Sequence, residues 1–247
     1  YEGVIRASGA EMVPVPLRPE KGFRMQAADI AARITPRSRA ILLTTPHNPT
    51  GAILTAADVA EIGQLAIAHD LWIISDEVYE EIVYDEAQHI SLASLPGMAD
   101  RTLVVGSMSK SHAMTGSRVG WIVGPEDAID HLINLSTHTT YGVPHFIQDA
   151  ALFALQQGTP LETEVAAPFA RRRLIAQDVL ANTNAITAVP CDGAMYIMLD
   201  IRATGMSGED FAFALLDAEH IATMPGESFG TAAAGHLRVA MTLADGA

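Results

Sequence analysis

Residues 102–123 read TLVVGSMSKSHAMTGSRVGWIV, and this stretch decides the fold class. Its first five residues, Thr102 to Gly106, form an apolar run with the length of a buried strand. A second strand-like run, Val119 to Val123, is closed by Gly124-Pro125, and the pattern leaves its direction open. A polar, serine-rich loop that carries Lys110 joins the two runs. In open α/β sheets ligands bind beyond the carboxyl ends of strands, so this loop is a candidate ligand site.

Two further strands and a helix precede this stretch. Ala40 to Thr45 and Leu71 to Ser75 are short apolar runs that predict buried strands. Between them, Thr55 caps a predicted helix that ends near His69, and Asp58 occupies the capping-box position. Because short strands alternate with helices, the sequence predicts the α/β class, with a mostly parallel sheet sandwiched by helices.

The pattern after residue 128 predicts a division into two domains. Helical periodicity runs from Ala128 to Leu155 with a break near Gly142-Val143-Pro144, and Gly158-Thr159-Pro160 is typical of a domain boundary. We therefore predict a large domain over residues 1–158 and a small α+β C-terminal domain over residues 159–247. The small domain is expected to contain a helix to Leu180, a strand from Met195 to Asp200, a helix from Ser207 to Ala218 and a strand from Leu237 to Met241. The chain begins at Tyr1 in mid-pattern, so we expect both domains to be truncated.

Composition excludes several classes of function. The 247 residues carry a formal charge of -14, which argues against a nucleic-acid partner because phosphate neutralisation needs clustered Lys and Arg. The basic run Arg171-Arg172-Arg173 is expected to be a solvated helix face. The single cysteine, Cys191, cannot form an intrachain disulfide, and we expect it to be a small buried hydrophobe in a cytoplasmic protein. No apolar run approaches the length of a membrane span, so no membrane is expected.

Polar groups follow three of the predicted strands, and together they suit pyridoxal 5′-phosphate (PLP). This cofactor requires a lysine for its aldehyde and a carboxylate for its pyridine nitrogen. Of the two lysines, Lys21 lies in a polar turn, which leaves Lys110. Asp76 directly follows a strand, where a helix N-cap is the alternative interpretation. Ser107, Ser109 and Arg118 offer hydroxyls and a bidentate cation to a phosphate.

The segments HNPTG (47–51), SDEVY (75–79) and SMSKSHAMTGSRVG (107–120) resemble the signature blocks of class I/II aminotransferases of PLP fold type I. The later segments CDGAMYIMLDIR and GESFG extend the resemblance to bacterial arginine:pyruvate aminotransferases. The resemblance implies a homodimer that moves an amino group from an L-amino acid to a 2-oxo acid by a ping-pong mechanism. It implies Lys110, Asp76 and Tyr79 as catalytic residues. The implied cofactor ligands are Asn48, Asp76, Tyr79, Ser107, Ser109, Lys110 and Arg118, and the implied substrate ligands are Asn48 and Arg238.

Other readings of the sequence remain open at this stage. The same blocks occur in PLP-dependent carbon-sulfur lyases, and a non-catalytic aminotransferase-like effector domain of a regulator is a further alternative. We expect His47 and His112 to serve local packing or hydrogen bonding, and Tyr141 and Tyr196 to be packed aromatics. The carboxylates near Asp76 are expected to lie on an exposed helix start and to bind no metal; they are Glu77, Glu80, Glu81, Asp85 and Glu86.

Overall fold

The computed structural model describes residues 1–245. In this range the helices are α1 Glu2–Ala7, α2 Ala27–Ala31, α3 Ala56–Ala68, α4 Met108–Ser111, α5 Glu126–Thr139, α6 His145–Gln157, α7 Thr159–Leu180 and α8 Gly208–Glu219. The strands are β1 Ala40–Thr44, β2 Trp72–Asp76, β3 Thr102–Ser107, β4 Gly120–Val123, β5 Thr187–Ala188, β6 Tyr196–Asp200, β7 Met224–Pro225 and β8 His236–Ala240. None of these helices is both long and apolar enough to cross a lipid bilayer.

The first sheet confirms the predicted α/β class. Its strand order is β1-β2-β3-β4, in which β1, β2 and β3 are parallel and β4 pairs with β3 in the antiparallel direction. The register places Thr44 beside Asp76 and Asp76 beside Val105. The carboxyl ends of the three parallel strands therefore meet at one edge of the sheet.

Helix α3 covers this sheet and starts as predicted. The Thr55 hydroxyl accepts from the Asp58 backbone N–H, and the Asp58 carboxylate accepts from the Thr55 N–H, which completes a capping box. Val59, Ile62 and Ala66 have no exposed surface and join the core cluster beneath the sheet. Their spacing places them on one helix face, and full burial of a side chain such as Ile62 contributes about 1.5–3 kcal/mol.

The second sheet is antiparallel throughout, with the order β5-β6-β8-β7. The long predicted strands within it are confirmed, whereas the two-residue strands β5 and β7 carry too few residues for a periodic signal. Met198 of β6 pairs with Arg238 of β8, so the register fixes Arg238 in the middle of the sheet. Ser207 caps α8 through its side chain.

Residues from both sides of the predicted domain boundary pack together. Gly158 is the residue at which α6 ends and α7 begins. Phe23, from the N-terminal part of the chain, is buried in one cluster with Met198 and Ala233 of the second sheet's region. The division into residues 1–158 and 159–247 stays a prediction, and Phe23 packs across it.

The expectation for the basic run on α7 was wrong at its third residue. Arg173 is only 5% exposed. Its guanidinium donates to the Cys191 carbonyl at 3.0 Å, pairs with Asp85 and stacks 4.8 Å from the Tyr84 ring centroid. α7 turns this face toward the loop that follows β2, so Arg173 is an internal cross-link and not a solvated residue.

Candidate active site

The parallel strands bring the predicted cofactor residues to one edge of the first sheet. Asn48 lies four residues beyond the end of β1, and Asp76 is the last residue of β2. Ser107 ends β3 and is the N-cap of α4, the four-residue helix that carries Lys110. The topology therefore converts three separate sequence segments into neighbours.

Lys110 presents its amine next to the aromatic ring of Tyr79. The Nζ atom lies 5.9 Å from the ring centroid. Within residues 1–245, no hydrogen bond or ion pair occupies this amine. A half-buried lysine whose amine is not committed to a carboxylate is available for a covalent bond to a carbonyl carbon.

Tyr79 is buried and retains its proton. It is 3% exposed, and its hydroxyl donates to the Tyr196 hydroxyl at 3.2 Å. Burial raises the pKa of the Tyr79 phenol well above its usual value, helped by the hydrogen bond to Tyr196 and the negative charge of Asp76 and opposed by Arg238. The phenol therefore stays a hydrogen-bond donor at neutral pH.

Asp76 is held at the strand end by two donors. One carboxylate oxygen accepts from the Val78 backbone N–H at 3.3 Å, and the other accepts from the Tyr1 hydroxyl. Residues 78–81 form turns and no helix begins at Asp76, so the helix N-cap alternative was wrong. The carboxylate is free of any Lys, Arg or His partner among the residues described.

Arg238 connects the second sheet to the loop that follows β1. Its Nη1 donates to the Asn48 side-chain oxygen at 3.1 Å. The guanidinium lies 4.4 Å from the Tyr196 ring centroid and 5.1 Å from that of Phe229. Its Nε is buried and lacks a partner within residues 1–245. A guanidinium oriented by two aromatic rings with an unused donor is suited to an anion such as a carboxylate.

The predicted phosphate residues lie on two adjoining turns. The Ser107 hydroxyl accepts from the Ser109 N–H at 3.1 Å and caps α4. The Val119 carbonyl accepts from the Met108 N–H, which fixes the turn containing Arg118 against the start of α4. Arg118 is exposed, adopts a left-handed backbone with φ 53°, and donates to the Thr115 carbonyl at 3.0 Å. Its guanidinium pairs with no carboxylate in the described range.

The carboxylates that follow Asp76 do not lie on an exposed helix. Glu77 is 1% exposed and accepts from the hydroxyls of Ser75 at 2.7 Å and Ser91 at 2.9 Å, while His89 Nε2 lies 2.8 Å from its second oxygen. The exposed position expected for Glu77 was therefore wrong. Glu77, Glu80 and His89 each offer one atom of a kind that can bind a metal ion, and these three atoms lie within 4.8 Å of one another. The contacts within the group already satisfy Glu77, and the absence of a metal stays a prediction.

Five other residues also had a predicted environment. Packing or hydrogen bonding is confirmed for His47, whose Nδ1 lies 2.8 Å from the Thr50 hydroxyl, and for His112, which is 7% exposed. Cys191 is buried as predicted, and burial raises the pKa of its thiol to about 12. Tyr196 is buried, but Tyr141 is 88% exposed, so the prediction of a packed aromatic was wrong there.

Three aromatic residues of the site carried little or no sequence signal. Tyr196 and Phe229 flank Arg238, and their role depends on the register of the second sheet, which a single sequence does not specify. Tyr1 contacts Asp76 across 75 positions, and no motif in the sequence connects these two residues.

This fold and this edge of polar residues define a class of protein. The model of the aminotransferase class I and II family matches residues 1–246, and the chain belongs to that family. Its fold is fold type I of the PLP-dependent transferases, and the family is PLP-dependent.

The particular relatives are also aminotransferases. An arginine–pyruvate transaminase of Pseudomonas aeruginosa is 50% identical over 98% of this chain and 62% of its own length. Aromatic-amino-acid aminotransferase 2 of Thermococcus litoralis is 35% identical over 99% of this chain and 63% of that protein. The chain therefore spans a little over 60% of the length of these relatives.

Solved structures agree with the family assignment. The aromatic aminotransferase of Pyrococcus horikoshii OT3 superimposes with a TM-score of 0.95 at 35% identity, covering 100% of this chain and 66% of that chain. The Thermus thermophilus aspartate aminotransferase with maleate gives a TM-score of 0.91 at 30% identity, covering 100% of this chain and 63% of that chain.

Proposed function

We propose that the protein containing this chain is a PLP-dependent aminotransferase that moves an amino group from an L-amino acid to a 2-oxo acid in a ping-pong cycle. The observation that carries the proposal is the set of groups at one sheet edge: the uncommitted Lys110 amine, the Asp76 carboxylate, the Tyr79 phenol and the Asn48 amide. Membership of the aminotransferase class I and II family supports it.

The donor set fits the cofactor. PLP presents an aldehyde, a ring nitrogen, a phenolic oxygen and a phosphate, and these groups require an amine, a carboxylate, neutral donors and a cation respectively. Lys110, Asp76, Tyr79 with Asn48, and Arg118 supply these four chemistries. Within residues 1–245, Arg238 Nε has no partner and Arg118 pairs with no carboxylate, which leaves two guanidinium groups available to anions.

Each residue then has a definite task. When bound, PLP supplies an electron-accepting ring that stabilises negative charge on the substrate Cα. Asp76 would keep the ring nitrogen protonated, Asn48 would donate to the phenolic oxygen through its amide N–H, and Tyr79 would donate to it by turning its hydroxyl away from Tyr196. The Lys110 amine would hold the cofactor aldehyde, and as a free amine it would take the proton from the substrate Cα as a general base and return it as a general acid. Ser107, Ser109 and Arg118 hold the phosphate.

Arg238 and Asn48 are proposed to bind the substrate α-carboxylate. The guanidinium offers a planar fork of donors, and the stacked rings of Tyr196 and Phe229 hold its plane. Arginine as amino donor and pyruvate as acceptor are the specific substrates we propose, because the P. aeruginosa relative named for that reaction is 50% identical to this chain.

The cofactor assignment has a matched test, because the chain contains two lysines. The complete natural polypeptide that carries these residues is loaded with PLP, reduced with borohydride and digested, and the modified peptide is identified by mass spectrometry. We expect the cofactor on the peptide containing Lys110 in the wild type and in Lys21→Ala, and no modified peptide in Lys110→Ala. Turnover should be lost only in Lys110→Ala. Cofactor trapping and turnover that persist in Lys110→Ala would refute the assignment.

The reaction is tested by product analysis across a panel of amino donors with pyruvate. An oxo acid that appears together with alanine supports amino transfer. Ammonia released from the donor without an oxo-acid acceptor would instead identify a carbon-sulfur lyase or related eliminating enzyme. Failure of the wild type to bind PLP would favour the alternative of a non-catalytic domain.

We further propose a cytoplasmic homodimer, organised as a large cofactor-binding domain over residues 1–158 and a small domain over residues 159–247. The family resemblance supports the homodimer and the two domains. The single cysteine, which is free and buried, supports the cytoplasmic location. Analytical ultracentrifugation of the complete polypeptide tests the dimer.

A further inference from the structure

The Tyr1 hydroxyl bridges the ends of two neighbouring strands. It donates to one carboxylate oxygen of Asp76 and lies 3.2 Å from the Thr44 hydroxyl. Thr44 and Asp76 are register partners at the last position of the β1–β2 ladder. The two contacts therefore fix the hydroxyl at the sheet edge where the cofactor residues gather.

The Asp76 carboxylate has few other bonds that define its orientation. Its second oxygen accepts from the Val78 N–H at 3.3 Å, a long bond within its own turn. In the described part of the chain, the Tyr1 hydroxyl is the only side-chain donor to this carboxylate. A carboxylate that accepts a hydrogen bond on each oxygen has a fixed plane, and the loss of one donor lets it rotate.

The Tyr1 side chain does not cap the helix that follows it. Tyr1 is the N-cap residue of α1, yet its side chain makes no capping bond, and α1 contains no buried residue. Its ring is largely exposed. Partial burial of the hydroxyl, together with its bond to Asp76, raises the pKa of the Tyr1 phenol, so the hydroxyl remains a donor at neutral pH.

We propose that Tyr1 is a positioning residue for Asp76: its hydroxyl, held between Thr44 and Asp76, orients the carboxylate toward the ring nitrogen of the cofactor. This inference rests on the proposed function, because it gives Asp76 its role at that nitrogen. Tyr1 acts through Asp76 and touches no reacting atom.

The test measures cofactor binding without turnover. Pyridoxamine 5′-phosphate has the same ring and phosphate as PLP but carries an amine in place of the aldehyde, so it cannot bond covalently to Lys110. Its affinity is measured by fluorescence titration in the complete polypeptide, and the ring nitrogen is followed by ¹⁵N NMR of the labelled compound. Tyr1→Phe removes the hydroxyl and keeps the ring. Tyr141→Phe is the matched control, because Tyr141 is 88% exposed.

We expect Tyr1→Phe to weaken the binding of pyridoxamine 5′-phosphate about ten-fold and to move the ¹⁵N signal. A ten-fold loss of affinity is the lower end of what one hydrogen bond to a charged group contributes. Tyr141→Phe should change neither. In an Asp76→Asn background the further substitution of Tyr1 should have almost no effect, because the positioning acts through the carboxylate.

The outcomes separate the two proposals. Unchanged affinity and an unchanged ¹⁵N signal in Tyr1→Phe, with or without a lower melting temperature, would leave Tyr1 as a structural anchor and overturn the inference, while the proposed function stands. A wild type that binds neither PLP nor pyridoxamine 5′-phosphate would overturn both. An effect of equal size in the Asp76→Asn background would also overturn the positioning role.

Discussion

Replacement of Arg173 by Met should destabilise the protein far more than the same change two residues earlier on the same helix. Arg173 is 5% exposed and donates to the Cys191 carbonyl at 3.0 Å, and its guanidinium stacks on Tyr84. Methionine fills much of the volume of the aliphatic stem but cannot donate, so it leaves the buried carbonyl without its side-chain donor.

The magnitude follows from these contacts. A charged hydrogen bond to a buried carbonyl contributes about 1.5–3 kcal/mol, and a desolvated cation–π contact adds about 1 kcal/mol. The pair with Asp85 adds little, about 0–1 kcal/mol, because that carboxylate is 70% exposed. We therefore expect Arg173→Met to lower the free energy of unfolding by about 2.5–5 kcal/mol.

Urea titration of the complete polypeptide, followed by circular dichroism, measures this free energy. Arg171→Met is the control, because the Arg171 side chain is 53% exposed and pairs with Asp245 at the surface. Asp85→Asn isolates the ion pair and should cost less than about 1 kcal/mol. The reasoning would be refuted by Arg173→Met and Arg171→Met variants that agree within about 0.5 kcal/mol, the usual scatter of surface substitutions.

Two more predictions concern the loop beside the candidate site. Gly51 has φ +72°, and a Cβ built there would lie 2.4 Å from the Cys191 sulfur, whereas at Gly97, with φ +76°, the nearest atom is 3.6 Å away. Both Ala variants share the left-handed strain, so melting curves should show a loss larger by about 1–3 kcal/mol for Gly51→Ala, and equal losses would contradict the steric argument. Burial lowers the pKa of His47 to about 4, so the unfolded chain binds a proton that the folded chain excludes as pH falls below the ordinary value near 6.5. The contribution of His47 to the free energy of unfolding should therefore be fully present above that value and fall by about 1.4 kcal/mol per pH unit toward pH 4. Urea titrations of His47→Gln should lack this slope. A slope that persists in His47→Gln would refute the assignment.

The fold and the placement of Asn48, Asp76 and Lys110 at one sheet edge could be predicted because they depend on local patterns. The apolar runs around Lys110 and the capping box at Thr55 specify strands and a helix start within a few residues of sequence. Parallel strands then bring their carboxyl ends together, so residues placed just after a strand converge without knowledge of side-chain packing.

The parts that could not be predicted depend on contacts between distant segments. Arg173 follows two arginines in a run that looks solvated, and its burial depends on which face of α7 packs against the loop after β2. The burial of Glu77 could not be predicted for the same reason. Its carboxylate oxygens contact His89 and Ser91, which lie 12 and 14 positions away. A charged residue satisfied by distant partners has the same local sequence as an exposed one.

The bond between Asn48 and Arg238 joins positions 190 residues apart and ties the second sheet to the edge of the first. Arg238 Nη1 makes this bond, while its Nε has no partner within residues 1–245, so an anion that binds Nε adds to the tie. Ligand affinity and the attachment of the two sheets are therefore thermodynamically linked. A change that loosens that attachment will therefore weaken anion binding, and a bound anion will in turn report on how firmly the two halves of the molecule are held together.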